Sequence, residues 1–216
     1  MARPREFDED TVLEAAMQCF WSSGYEATST RDLAERMKMT PASMYNAFGD
    51  KRALFLRALD HYLNQSLRER LARLESHFPP DAAITRCFSE SIERSLADRE
   101  HRGCLLVNSA FGAAQDPDVR TVVAGEIAQI ETFFLRCLDA GQTAGLIATT
   151  ISPGEGAKLL LAGLLGIRVL ARVRPDRDLL EGAAAAAAEI DDAAPGLVGD
   201  GEWRRPQDGA GGERGD

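Results

Sequence analysis

Residues 29–48 read STRDLAERMKMTPASMYNAF, and their punctuation decides the fold. Ser29 and Asp32 stand at capping-box spacing, in which the hydroxyl and the carboxylate each satisfy a backbone N–H left over at a helix start. Leu33, Ala34 and Met37 then form one apolar edge, so a short helix opens here. Only Lys38 and Met39 intervene before Thr40-Pro41, an N-cap followed by proline where its missing N–H costs least. A further helix to about Phe48 follows. Two short helices joined by so tight a turn form a helix-turn-helix, whose second helix lies in the major groove of DNA. Pro41, Ala42 and Ser43 are small enough for the first turn of that helix to approach base edges. Pro41 or Ala42 would meet a thymine methyl, and Ser43 a hydrogen-bonding base edge. Thr30, Thr40, Tyr45 and Lys51 place hydroxyls and an ammonium at helix starts, where phosphate is favoured.

Working outward, Asp8 is an N-cap with Phe7 before it as a staple onto Val12, and Val12, Leu13, Ala16, Met17 and Phe20 mark the buried face of a helix ending near Gly24. Downstream, Gly49 suits a helix end and Asp50 a new start. Leu54, Phe55, Ala58, Leu59, Tyr62 and Leu63 form the stripe of a longer helix. Beyond Pro79-Pro80 the periodicity predicts helices over roughly 81–98, 103–114, 118–141, 152–174 and 176–190. No strand alternation of any length occurs, so the expected fold class is all-α. After Ile190, 9 of the last 26 residues are Gly or Pro, which predicts a disordered tail.

Charge supports the same reading once it is divided along the chain. The net charge is −9, yet residues 31–57 carry six basic groups against Asp32, Glu35 and Asp50, net +3. The longest apolar run, Leu159 to Ile167, is nine residues, far short of the ~20 of a membrane span. The N-terminus has no apolar leader core, so the chain is expected in the cytoplasm without a membrane partner. Cys19, Cys87, Cys104 and Cys137 show no metal-ligand spacing. No GxSxG, HExxH, Walker A or strand-borne GxGxxG motif occurs, so neither enzymatic activity, metal nor cofactor is expected.

Residues 25–55, YEATSTRDLAERMKMTPASMYNAFGDKRALF, resemble the N-terminal DNA-binding domain of the TetR/AcrR family of transcriptional regulators. T-S-T-R-D-L-A, T-P-A-S-M-Y-N-A-F-G-D-K and the downstream L-F occur together at that family's spacing. The resemblance implies that Arg31 reaches a base or nearby phosphate and that Pro41, Ala42 and Ser43 face bases. It further implies that Thr30, Thr40, Tyr45, Asn46 and Lys51 hold the backbone, with Met44 and Phe48 as packing. Lys38 stands where the family has a turn glycine. A residue with a Cβ there must take positive φ or alter the turn, and it would add a phosphate contact. The implied division is a helix-turn-helix domain at 1–52, an effector-binding and dimerisation domain at 53–190, and the tail at 191–216.

The implied partners are a double-stranded DNA operator, a second copy of the chain and an unidentified small-molecule effector. One helix-turn-helix reads too few bases for selectivity, and a two-fold dimer doubles the readout. The helix at 152–174 is apolar nearly all round, so Leu160, Gly163, Leu164, Ile167 and Leu170 are candidates for the dimer face. Phe88, Ile92, Cys104, Phe111, Phe133 and Phe134 are candidates to line the effector pocket, and the scarcity of interior charge favours a neutral, apolar ligand. Cys104, beside His101 and Arg102 in the first turn of its helix, is placed for a lowered thiol pKa. The chain is thus expected to be a ligand-released repressor. The alternatives are a thiol-based electrophile or oxidant sensor of the same fold and, in another class, a protein-interaction module or enzyme without DNA function.

Overall fold

The computed structural model describes residues 7–112 and 115–188. The tail expectation for 191–216 lies outside the described residues. Among these the chain forms helices only: α1 (Glu9–Ser23), α2 (Thr30–Arg36), α3 (Pro41–Phe48), α4 (Lys51–Leu63), a π-helical segment (Asn64–Arg68), α5 (Glu69–His77), α6 (Pro80–Ala97), α7 (Leu105–Gly112), α8 (Pro117–Thr143), α9 (Pro153–Val173) and α10 (Arg177–Ala188). No described helix is long and apolar enough to cross a membrane.

The caps fall where the sequence places them. Asp8 accepts from the Thr11 amide, Ser29 and Asp32 complete the reciprocal box, Thr40 accepts from Ser43, and Asp50 from Ala53. Phe20, Leu33, Met44, Leu54 and Leu59 fill the centre of the head formed by α1–α4. Each such burial is worth about 1.5–3 kcal/mol. The rings of Phe20 and Phe55 meet edge to face at 5.0 Å, and Phe7 lies against Phe48 at 5.9 Å.

The expected boundary at residue 52 falls within the first turn of α4, which is common to head and body. Through the π-helical segment α4 runs on into α5, an element that the apolar stripe ending at Leu63 did not suggest. The wider turn keeps Leu63, Leu67, Leu71 and Leu74 buried in succession. In the body α9 lies along α8, α6 crosses both, and α10 closes over α6 and α9. Ile130, Phe133, Phe134, Leu106, Leu164 and Ile167 are fully or almost fully enclosed.

This packing corrects the expected dimer face. Leu160, Leu164 and Ile167 point inward, Leu170 is half-buried against the same core, and Gly163 lets α9 approach α10. A Cβ at Gly163 would lie 2.7 Å from that of Ala187. What α9 leaves uncovered is a second stripe: Leu159, Ala162, Gly166, Val169 and Val173 are exposed. They recur every three or four residues, the spacing of a helix–helix seam.

Candidate nucleic-acid interface and sensor cavity

Met44 and Phe48 root α3 in the head and leave Pro41, Ala42, Ser43, Tyr45 and Asn46 exposed. The Thr40 hydroxyl is engaged by Ser43, whose amide donates to it at 3.1 Å and whose hydroxyl lies 2.9 Å away. Arg31 is exposed and Thr30 half-exposed at the start of α2. Lys38 adopts φ 54°, so the turn keeps the left-handed geometry that a glycine would take without strain. Lys51 is held back: its ammonium lies 4.5 Å from the centre of the Tyr25 ring and donates to the Glu26 carbonyl at 3.4 Å.

Arg52, which the sequence did not single out, joins head to body. Its guanidinium grips Asp116, with one bond at 2.9 Å, and reaches Asp118 at the start of α8. These hydrogen bonds and the α8 amides hold the Asp116 carboxyl at a pKa of about 2. Only a pairing 64 residues apart in sequence reveals this role, and no local motif encodes it.

A second junction surrounds Cys104. The loop before α7 carries positive φ at His101 (49°) and Gly103 (74°), and Arg172 packs so closely that a Cβ at Gly103 would stand 3.1 Å from its side chain. The Gly103 carbonyl accepts the indole N–H of Trp21 on α1 at 3.0 Å. Arg102 lies over the Trp21 ring, 4.1 Å from its centre, and donates to Gln18 and to Asp98.

Cys104 is buried just before the first turn of α7, but its cation is neither His101 nor Arg102. Arg168 on α9 donates to Sγ at 2.7 Å, and the Tyr62 hydroxyl on α4 donates to it at 3.5 Å. Burial pushes the thiol up, and the Arg168 charge with the surrounding donors outweighs it, leaving the pKa below its usual value. By contrast burial raises Cys87, and raises Cys137 to about 12.

Cys104 lines a cavity of about 310 Å³ between α1, α4, α5, α6, the 98–104 loop and α9, walled by Trp21, Tyr62, Arg70, Ser91 and Arg168. The other expected pocket residues do not join it. Phe88 and Ile92 line an apolar groove between α6 and α10, and Phe133 borders a cleft beside Arg68 and Arg136. Phe134 packs in the core against Phe88 and Phe133. Phe111 is 78% exposed, because its side chain lies on the solvent side of α7. Interior charge is not scarce either, since Arg70, Arg168 and Glu126 are all buried.

An exposed second helix of a helix-turn-helix on a four-helix head, joined through α1 and α4 to a helical body with a polar cavity open to solvent, defines a two-part helix-turn-helix architecture. Residues 12–58 match the family described as bacterial regulatory proteins, tetR family, and residues 82–187 match a tetracyclin repressor-like C-terminal domain. The chain belongs to the tetR family of DNA-binding transcriptional regulators. It is 32% identical to the uncharacterized HTH-type transcriptional regulator YezE of Bacillus subtilis, over 84% of this chain and 94% of that protein. It is 28% identical to the HTH-type transcriptional repressor ComR of Escherichia coli, over 79% and 82% of the two chains. Among solved structures, a cysteine mutant of the TetR family regulator CifR, complexed with 26-bp double-strand operator DNA, is similar at TM-score 0.77 and 34% identity. That match covers 87% of this chain and 99% of that one.

Proposed function

We propose that this regulator is a repressor that binds a palindromic operator as a homodimer and releases it when a small molecule occupies the cavity beside Cys104. The observation that carries the reading is the outward face of α3, where Pro41, Ala42, Ser43, Tyr45 and Asn46 stand free over a buried Met44–Phe48 root. In this docking Pro41, Ala42 and Ser43 meet bases. Thr30, Arg31, Lys38, Thr40, Tyr45, Asn46 and Lys51 hold the backbone, with Lys51 leaving Tyr25 to do so. CifR in complex with operator DNA and the repressor name of ComR support the reading by analogy. The exposed Leu159–Ala162–Gly166–Val169–Val173 stripe is the surface on which two copies would pair. The protein would act in the cytoplasm with its operator, with no catalytic activity of its own.

Release follows from the two junctions. The cavity wall includes Gly103 and Trp21, so a bound molecule that shifts the 98–104 loop tilts α1 and, with it, the reading head. A second reading, in which an electrophile captured by Cys104 is the signal, is favoured by the Arg168 contact at 2.7 Å. The test is fluorescence anisotropy on DNA from upstream of the regulator's own gene, backed by selection from random sequence. Tight, salt-dependent binding that weakens in Tyr45→Ala across all sequences, with a shallower salt slope, supports the docking. An unchanged slope refutes it.

A further inference from the structure

Deepening that reading of the cavity as the effector site, we infer that it takes a small organic carboxylate, with the acid group on Arg70 and Arg168 and an unsaturated or aromatic body beside Trp21 and Tyr62.

The argument starts from charge. Arg70 is 5% exposed and Arg168 is 9% exposed, and both line the cavity. A guanidinium cannot shed its proton inside a protein, so burial leaves it charged, and a buried cation is stable only when paired. For Arg168 the Cys104 sulfur and the Tyr62 hydroxyl outweigh burial and favour the charged form, whereas for Arg70 burial prevails. Arg70 spends one Nη1 bond on the Ser91 hydroxyl at 3.0 Å, while its Nε and Nη2 have no partner in the protein. Arg168 spends Nη1 on Cys104, and its Nε is likewise unpartnered. Neither pairs with a carboxylate among the described residues. Asp98, the acid on the cavity wall, is taken by Arg102, and Glu90 near Arg70 by Arg73.

Every other charge facing the cavity aggravates the excess. Arg94 and Arg102 also line it, so even a Cys104 thiolate with Asp98 leaves a net positive site. Burial, together with repulsion from Arg168 and Arg94, lowers the pKa of Arg70. The Arg70 Nε and Nη2 groups, enclosed and without a partner, form the guanidinium edge whose side-by-side N–H bonds suit two oxygens of one anion. The rings of Trp21 and Tyr62, set edge to face with centres 5.2 Å apart, and Ala97 supply the apolar part of the wall. The volume suits a small organic acid and exceeds what a bare inorganic ion would fill.

The test uses the full chain and separates anion binding from DNA binding. Calorimetry without DNA compares benzoate, cinnamate and phenylacetate with their neutral amides and with inorganic phosphate, on the wild type and on Arg70→Met, which leaves Cys104 untouched. The inference expects at least one acid to bind tenfold or more tightly than its amide, and Arg70→Met to lose tenfold or more of that affinity. A second readout guards against misfolding. In anion-free buffer Arg70→Met should melt above the wild type, since it removes an unpaired buried charge, and the acid should raise the wild-type Tm alone. Equal binding of acid and amide, no binding of any acid, or binding indifferent to Arg70 overturns the inference. So does phosphate binding with the same Arg70 dependence while the organic acids do not bind. A bound acid that leaves operator affinity unchanged overturns its role as effector. A protein that binds the acid but no DNA refutes the repressor reading and leaves the anion site standing.

Discussion

Replacing Arg168 with Met removes the cation against Cys104 Sγ while keeping much of the side-chain volume. An opposite charge at this range favours the thiolate and so depresses a thiol pKa. Without it desolvation prevails, and the Cys104 pKa should move from below 9.0 to above it. At pH 7 the thiolate fraction then falls, by roughly tenfold or more for the loss of one contacting opposite charge. The more basic thiolate is also more nucleophilic, with a Brønsted slope of about 0.4–0.5, which recovers nearly half of that loss on a logarithmic scale. The expected net effect is labelling at least about 3-fold slower. The assay is the rate of Cys104 modification by methyl methanethiosulfonate, a reagent small enough for the cavity, read at the Cys104 peptide by mass spectrometry across pH. Because the thiolate reacts, the rate climbs with pH and levels off at the pKa, below 9 in the wild type and above it in the variant. Arg168→Lys should recover part of the rate, and a melting curve verifies folding. A wild-type rate and midpoint in Arg168→Met would refute the assignment of Arg168 as the group that activates this thiol.

The other predictions concern the head, the turn and the pairing face. Ser43→Ala should alter base preference in a selection experiment while leaving the salt slope of binding intact, the opposite signature to Tyr45→Ala; a uniform loss over all sequences would place Ser43 on the backbone. Lys38→Gly relieves about 1–2 kcal/mol of left-handed strain and returns part of it as unfolded-state entropy, so Tm should rise by about 1–3 °C in a calorimetric scan. A lower Tm would show that the lysine side chain contributes more than the strain costs. Gly166→Glu or Val169→Glu places a charge on the uncovered α9 stripe and should yield monomers with operator affinity reduced at least tenfold, measured by sedimentation and anisotropy; a persistent dimer would place the interface elsewhere. Arg52→Ala should leave operator affinity nearly intact but blunt the response to a cavity ligand, whereas full ligand release would show that the α4–α8 junction is not needed for coupling.

The head was legible because its signals are local. A cap such as Thr40 speaks to an amide three residues on, and Met44 and Phe48 fall on one side of an eight-residue helix by geometry alone. Even the departure at Lys38 was readable, since a residue standing where the turn needs positive φ has few alternatives. The body was less legible because its site is assembled from distant segments. Arg168 meets Cys104 across 64 residues, so His101 and Arg102 looked like the natural cations while the real one closed an apolar run. Phe111 misled because α7 has few polar residues to mark which side faces solvent. The same difficulty beset α9. When both faces of a helix are apolar, periodicity cannot tell which one the chain covers itself, and the residues chosen for pairing were those already packed on α8 and α10.

The placement of charge explains why this arrangement suits a switch. The head touches the body at two polar junctions, Arg52 with Asp116 and Asp118, and the 98–104 loop with Trp21 and Gln18, in addition to the shared helix α4. Polar junctions of this kind are individually weak near solvent, so the head's setting is held by a modest free energy that a small ligand can match. The cavity stores the opposing tendency. Its unpaired Arg70 guanidinium disfavours the ligand-free body, and a counter-anion that relieves it gains affinity without many contacts. To act as a signal, that relief must differ between the operator-bound and released settings of the head. Gly103 makes such a difference possible: one residue at φ 74° follows the arginine that clasps Gln18, precedes the cysteine that Arg168 grips, and accepts the Trp21 indole through its own carbonyl. A ligand pulling on Arg168 therefore reaches α1 through a single peptide unit.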